Sequence, residues 1–258
     1  MELEIQGLTL SYSKKGENVL ENVSLSLEKG KVGILIGRNG IGKSTLLKSL
    51  VGSIKPKEGS IEIEKRRIES YKRNELAKIV SFLPQQIILP SRLVKEEVSL
   101  GRLPFSPVFS SKEDKNIIMG AMESVGISHL ANKYCNELSG GEIQKVGIAR
   151  SLASQSNLVL MDEPTSNLDL KSSYSLAKTI KELSKEKGIT FLISMHDIHL
   201  SSFLGDKFFF LKEKEIICSG GKEALTNENM KKTFDLDDEF ILNNGGIALF
   251  NIEKDIQK

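Results

Sequence analysis

The run Gly37-Arg38-Asn39-Gly40-Ile41-Gly42-Lys43-Ser44 constrains this chain more than any other segment. It fits the pattern G-x-x-x-x-G-K-[ST] and comes directly after Val32 to Ile36, a short unbroken apolar run. Such a run reads as a strand covered on both faces, the kind a parallel sheet carries. The residues from about Lys43 to Val51 read as a helix. Strand, glycine-rich loop and helix in that order are the context in which the pattern means a phosphate cradle. Glycines permit positive φ, so successive N–H groups can turn inward around an anion. The helix start adds its unpaired N–H groups and the positive end of its dipole. Lys43 can then reach β- and γ-phosphates, and the Ser44 hydroxyl can sit on Mg²⁺. Thr45, in the first helical turn, is counted in the same cradle.

The remaining pattern supports an α/β chain. Met1 to Tyr12 and Val19 to Glu28 alternate apolar and polar residues, as half-buried antiparallel strands do. Ser60 to Glu64 alternates likewise, Asn74 to Lys78 reads as a short helix, and Ile79 to Leu83 as a buried strand. Pro84 to Ser111 holds all but two of the six prolines and reads as irregular. Lys112 to Tyr134 reads as mainly helical, with Ile117, Ile118, Ala121 and Val125 on one face. Ser139 is placed to cap a helix running to about Ala153. Leu158 to Met161 and Ile189 to Ser194 are further buried strands around an amphipathic helix from Lys171 to Lys187. Strands at Lys207 to Leu211 and Glu215 to Cys218, then helices over Lys222 to Phe234, complete the outline. Alternating strands and helices imply a parallel sheet, with the N-terminal antiparallel strands beside it.

A strand ending in two carboxylates, Leu158 to Met161 followed by Asp162-Glu163, supplies a second nucleotide motif. Ligands of open parallel sheets sit outside the carboxyl ends of strands. Asp162 is therefore placed to hold Mg²⁺, directly or through water, and Glu163 to polarise a water for in-line attack on a γ-phosphorus.

Leu138-Ser139-Gly140-Gly141-Glu142 then names a family. With the phosphate loop and the Asp162-Glu163 strand, the chain resembles the nucleotide-binding subunit of an ABC transporter, and LSGGE resembles that family's signature sequence. Lys43 lies 96 residues before Ser139, and Ser139 lies 23 before Asp162, spacings that agree with the family. The resemblance implies a P-loop NTPase cassette with a mixed sheet core, N-terminal antiparallel strands and a helical subdomain. It implies an ATP hydrolase coupled to transport that binds ATP and Mg²⁺. It also implies that the signature residues face ATP held by the opposite subunit, so that two chains close two ATP molecules between them.

Further positions carry family roles over. Tyr12, 31 residues before Lys43, resembles the aromatic that stacks on adenine. Gln85 resembles the glutamine that contacts Mg²⁺ and the attacking water, although Gln86 leaves the register open by one. Ser166-Asn167-Leu168-Asp169 resembles the loop that crosses the dimer interface. His196, 34 residues after Asp162, resembles the switch histidine that holds Glu163 and the water in line. His199 and His129 match nothing and read as surface or packing residues. Arg38 stands where proline is common and Ile41 where a small residue is common.

Val94-Lys95-Glu96-Glu97-Val98-Ser99-Leu100-Gly101-Arg102-Leu103-Pro104-Phe105 resembles the V-x-E-x-V-x-x-G-R-x-P-[FY] stretch of importers for iron-siderophores, haem and cobalamin. That branch implies polytopic permease subunits, reached through Leu93 to Val108, and indirectly a solute-binding protein. Another importer or exporter branch is the alternative reading, and a soluble ABC ATPase acting on nucleic acid a further one. A net charge of +2 gives no electrostatic support for nucleic acid. Cys135 and Cys218 read as isolated reduced thiols. With no apolar run of roughly 18 residues and two acids in Met1 to Glu4, the expected place is the cytoplasmic face of the membrane, held there by a permease. The ATPase domain is expected over 1–235, with a helical subdomain inserted at about 86–155 and a C-terminal extension at 236–258.

Overall fold

A computed structural model describes residues 3–13, 15–105 and 111–236, and the backbone alone at 241–243 and 246–248. In chain order the elements are β1 (Leu3–Leu10), β2 (Leu20–Leu27), β3 (Val32–Ile36), α1 (Lys43–Leu50), β4 (Glu58–Ile63), β5 (Arg66–Arg67), α2 (Arg73–Ile79), β6 (Val80–Leu83), α3 (Val94–Ser99), α4 (Lys112–Ser124), α5 (Gly140–Ala153), β7 (Leu158–Asp162), α6 (Leu170–Lys187), β8 (Thr190–Ser194), α7 (Ile198–Leu204), β9 (Lys207–Lys212), β10 (Glu215–Gly220), α8 (Asn227–Phe234) and a hairpin of β11 (Ile241–Asn243) with β12 (Gly246–Ala248).

Two main sheets result. Strands in the order β2-β1-β4-β5 form an antiparallel sheet. Strands in the order β10-β9-β3-β8-β7-β6 form the second sheet, parallel except for the β9–β10 edge pair. Its central strands β3, β7 and β8 are buried at every residue. Alternation still sorts their side chains. Val32, Ile34, Ile36, Val159, Met161, Phe191 and Ile193 join one apolar core with the helices α4 to α7. Leu35, Leu158, Leu160 and Leu192 face the other, shared with β1, β2, β4 and α1. Covering both faces of β3 leaves little room at Gly33, where an added Cβ would lie 3.0 Å from Leu27 and 3.1 Å from Leu192 and Phe209. Because β3, β6, β7 and β8 run parallel, their carboxyl ends share one edge, which brings Gly37, Gln85, Glu163 and His196 to the same side of the sheet.

The stretch between β6 and β7 carries α3, α4 and α5 and no named strand among the described residues. Its apolar contacts come from Val94, Val98, Ile118, Met122, Val146 and Ala149, all buried. The expectation of an irregular Pro84 to Ser111 is corrected in part, because Val94–Ser99 is helical, with a 3-10 turn at Leu100–Arg102. The helix expected to Tyr134 ends at Ser124, since Gly126 turns left-handed at φ 72. Val108, within the importer-like stretch, lies outside the described residues, as does most of the expected extension at 236–258.

Gly101 sits where this helical arm closes on itself. A Cβ there would lie 2.1 Å from the Arg150 carbonyl oxygen and 3.0 Å from Ala153 Cβ. Gly101→Ala is expected to cost about 1–3 kcal/mol by overpacking, read as a lowered thermal midpoint. An unchanged midpoint would mean that the 3-10 turn and α5 are not held this closely. No helix among the described residues is long and apolar enough to cross a membrane.

Candidate functional site

The phosphate loop leaves β3 at Gly37 and enters α1 at Lys43. Gly42 is the N-cap with φ 111, and a Cβ there would come 2.8 Å from Leu20 Cδ2, so the position requires glycine on both counts. Gly37 is equally confined, 2.7 Å from the Leu211 carbonyl oxygen at the Cβ position. Arg38, Asn39 and Gly40 are exposed at the loop's crest, Ile41 and Ser44 are half-buried, and Thr45 is buried. Lys43 is 5% exposed, and its ammonium donates to the carbonyls of Gly37 at 2.7 Å and Arg38 at 3.1 Å. Burial lowers its pKa, opposed by the carboxylates of Glu163 and Asp162. The lysine thus crosses its own loop with its charge turned toward the Asp162-Glu163 strand end. Tyr12, 71% exposed, anchors its hydroxyl on Thr45 Oγ1 at 2.8 Å, leaving its ring open beside the cradle.

The second cluster gathers from three strand ends. Asp162 is 6% exposed and accepts from Ser194 Oγ at 2.7 Å. The Glu163 N–H donates to the Ser194 carbonyl at 3.1 Å and to its hydroxyl at 3.0 Å, while φ of 45° turns the chain at Glu163. Both carboxylate oxygens of Glu163 are then engaged. Gln85 Nε2 donates to Oε2 at 2.9 Å, and His196 Nε2 contacts Oε1. Of the two adjacent glutamines, it is Gln85 whose amide is bonded to Glu163. Ser194 was missed by the sequence reading. A serine closing a buried strand, one strand over from a carboxylate pair, was the available signal.

Ser139 caps α5, and its bonds are reciprocal with Glu142. The Ser139 N–H and hydroxyl donate to Glu142 Oε2 at 2.8 and 2.7 Å, and the Glu142 N–H donates to Ser139 Oγ at 3.4 Å. These bonds hold the Glu142 carboxyl below its ordinary range. Leu138 packs against the core behind them. Gly140 and Gly141 let the start of α5 approach the start of α6, since Cβ atoms there would lie 3.5 Å from Leu168 Cδ2 and 3.4 Å from Ser172. Ser166 donates to the Glu163 carbonyl at 3.1 Å, Asn167 presents its carbonyl toward Gly140, and Asp169 caps α6 through Ser172. The signature residues and the 166–169 loop are therefore neighbours. Among the described residues no hydrogen bond joins either to the chain's own phosphate loop. His129 and His199 are both exposed, and His129 is near enough to the signature residues to help lower the Glu142 pKa.

The donor set suits Mg²⁺. Ser44 offers a hydroxyl and Asp162 a carboxylate already oriented by Ser194, both hard oxygen ligands. A glycine cradle with a buried lysine, beside a carboxylate pair at the carboxyl edge of a parallel sheet, defines a nucleotide-hydrolysing α/β cassette.

Residues 20–166 match the ABC transporter family model, and the chain belongs to that family. It is an ATP-binding, ATP-hydrolysing cassette of it. The chain is 38% identical over 249 residues to an uncharacterised ABC transporter ATP-binding protein of Methanocaldococcus jannaschii, covering 96% of this chain and 97% of that one. It is 35% identical to the ferric enterobactin transport ATP-binding protein of Escherichia coli, over 89% and 85% of the two chains. Among solved structures, an inward-facing putative metal-chelate type ABC transporter superposes with a TM-score of 0.80 at 27% identity, over 96% of each chain. A dimeric post-hydrolysis cassette bound to ADP and Pi superposes with a TM-score of 0.74 at 30% identity, over 85% and 98%.

Proposed function

We propose that this chain is the energising ATPase of an importer for iron chelates of the siderophore, haem or cobalamin class, working as a homodimer on the cytoplasmic face of a polytopic permease. The observation that carries the hydrolytic part is the Glu163 carboxylate held at both oxygens by Gln85 and His196. The branch rests on the Val94 to Phe105 stretch and on the ferric enterobactin relative.

Each residue then has a task. Tyr12 offers a ring to adenine, and Gly37, Arg38, Asn39, Gly40, Ile41, Gly42, Lys43, Ser44 and Thr45 enclose the phosphates. Ser44, Asp162 and the free carbonyl of Gln85 would hold Mg²⁺. When bound, the ion would neutralise charge developing between β- and γ-oxygens. Glu163 accepts the proton of the attacking water, and His196 orients the carboxylate. Ser139, Gly140 and Gly141 present a helix start to the γ-phosphate of the opposite subunit, and Ser166 to Asp169 cross between the two. The approach of Gly140 and Gly141 to Leu168 and Ser172, which puts the signature residues beside the 166–169 loop, supports that division. Exposed Leu103 and Phe105 in the importer-like stretch, and Ile88 in the segment before it, offer apolar side chains to the permease.

The test is co-purification from membranes. A polytopic protein should accompany the chain, and a binding protein loaded with a ferric chelate, haem or cobalamin should stimulate hydrolysis by the reconstituted complex. Hydrolysis indifferent to all three, with export of another solute, would overturn the branch.

A further inference from the structure

Glu97 lies in α3 and is 2% exposed, an unusual place for a carboxylate outside the nucleotide edge. Its Oε1 accepts from Arg150 Nη1 at 2.5 Å. Its Oε2 makes no hydrogen bond and lies 3.5 Å from Arg92 Nε. A buried charge persists only where opposite charges compensate it, and here two half-exposed guanidiniums do.

The two arginines arrive from different functional segments. Arg150 stands in the last turn of α5, the helix that opens at the signature residues. Arg92 ends the segment that begins at Gln85. The backbone repeats the connection: Cys135 N–H donates to the Arg92 carbonyl at 2.9 Å, Val94 N–H to Lys133 at 3.0 Å, and Leu93 bridges Tyr134. Tyr134 and Cys135 lie just before Leu138. Arg102, five residues beyond Glu97 on the same arm, donates to the Ala153 carbonyl at 3.0 Å and fastens the far end of α5.

We infer that Glu97 is a positioning residue for ATP hydrolysis, the clamp that makes the Gln85 to Arg92 segment and the signature helix move as one body. This inference rests on the reading in which ATP closes two cassettes. Among the described residues Glu97 makes no hydrogen bond or ion pair with the phosphate loop, and it acts through Arg92 and Arg150. With the clamp intact, the segment that touches Glu163 through Gln85 fixes where Ser139 to Gly141 point. With it broken, Gln85 can keep its bond to Glu163 while the signature residues lean away. One chain then still binds ATP, but two chains no longer close.

The experiment uses the full chain carrying Glu163→Gln, which is expected to hold an ATP-bound dimer. Into it go Arg92→Met, which removes only a half-exposed arm of the clamp, and separately Glu97→Gln. ATP affinity by calorimetry and the thermal midpoint of the Arg92→Met chain should match the parent. ATP-dependent dimer, measured by gel filtration, should fall about tenfold, as expected when only about a tenth of the chains keep the signature residues in the closing arrangement. If the parent binds ATP and dimerises, and Arg92→Met dimerises equally well, the inference fails alone, and a lowered midpoint in Glu97→Gln then marks Glu97 as a structural brace. If the parent binds no ATP or never dimerises, the functional reading fails and the inference with it.

Discussion

Glu163→Gln should reduce ATP turnover by about 10²–10⁴-fold, the usual contribution of a positioned general base, while leaving ATP binding intact. The substitution keeps the side chain's size and removes its ability to accept a proton. Both Glu163 oxygens have partners, Gln85 Nε2 at 2.9 Å and His196 Nε2. In the variant one amide group can still accept from Gln85 or meet His196, so the loop should not collapse. The backbone anchors, Glu163 N–H to the Ser194 carbonyl and hydroxyl, involve no side-chain atom of residue 163 and persist. Binding without turnover should leave ATP trapped and two chains closed around it. Single-turnover hydrolysis and gel filtration with ATP check the two halves separately. Undiminished hydrolysis would remove Glu163 from the role of base, and hydrolysis lost together with ATP binding would show that the substitution had disturbed the cradle instead.

How far the sequence foretold this edge depends on which forces set each piece. Val32–Ile36 was legible to the residue, because a run of five apolar or small residues stopped at once by a glycine-rich loop is too short for a buried helix and suits a strand covered on both faces. Ser139 was legible as a cap, because Ser-x-x-Glu satisfies helix-start N–H groups through purely local bonds. Other features depend on distant partners and left no local pattern. The two-residue β5 exists by pairing with β4 and has no alternation to read. Helix α7 was missed although Asp197 caps it through Leu200, since His199, Ser201 and Ser202 interrupt its apolar spacing. Glu97 was passed over beside Glu96 in the importer-like stretch. Nothing local distinguishes them, yet Glu96 caps its own helix at Leu93 while Glu97 is buried against α5. Ser194 is similar, its importance arising only because β8 lies next to β7. Motif spacing could name Gln85, Glu163 and His196, but only the parallel order of β6, β7 and β8 explains why residues up to 111 apart meet at one carboxylate.

Lys43→Ala should weaken ATP binding at least about 100-fold, the equivalent of one or two hydrogen bonds to a charged group. Lys43 is 5% exposed, and its ammonium rests on the carbonyls of Gly37 and Arg38 rather than in water. Burial works against its charge, and Glu163 and Asp162 compensate only in part. Removing the side chain therefore relieves the desolvation of a cation while taking two acceptors' donor away, opposing effects on the free protein. The thermal midpoint without nucleotide should accordingly move little. The difference emerges with ligand. A protein at 100 times its Kd gains about 2.7 kcal/mol of stability from ATP, and a chain whose Kd has risen a hundredfold keeps under about 0.5 kcal/mol at the same concentration. Thermal melts with and without MgATP should thus separate the two chains only when nucleotide is present, and calorimetry should give the loss of affinity directly. A variant that is unstable without nucleotide would show that Lys43 braces the loop. A variant with ordinary ATP affinity would show that the ammonium never leaves the Gly37 and Arg38 carbonyls for the phosphates.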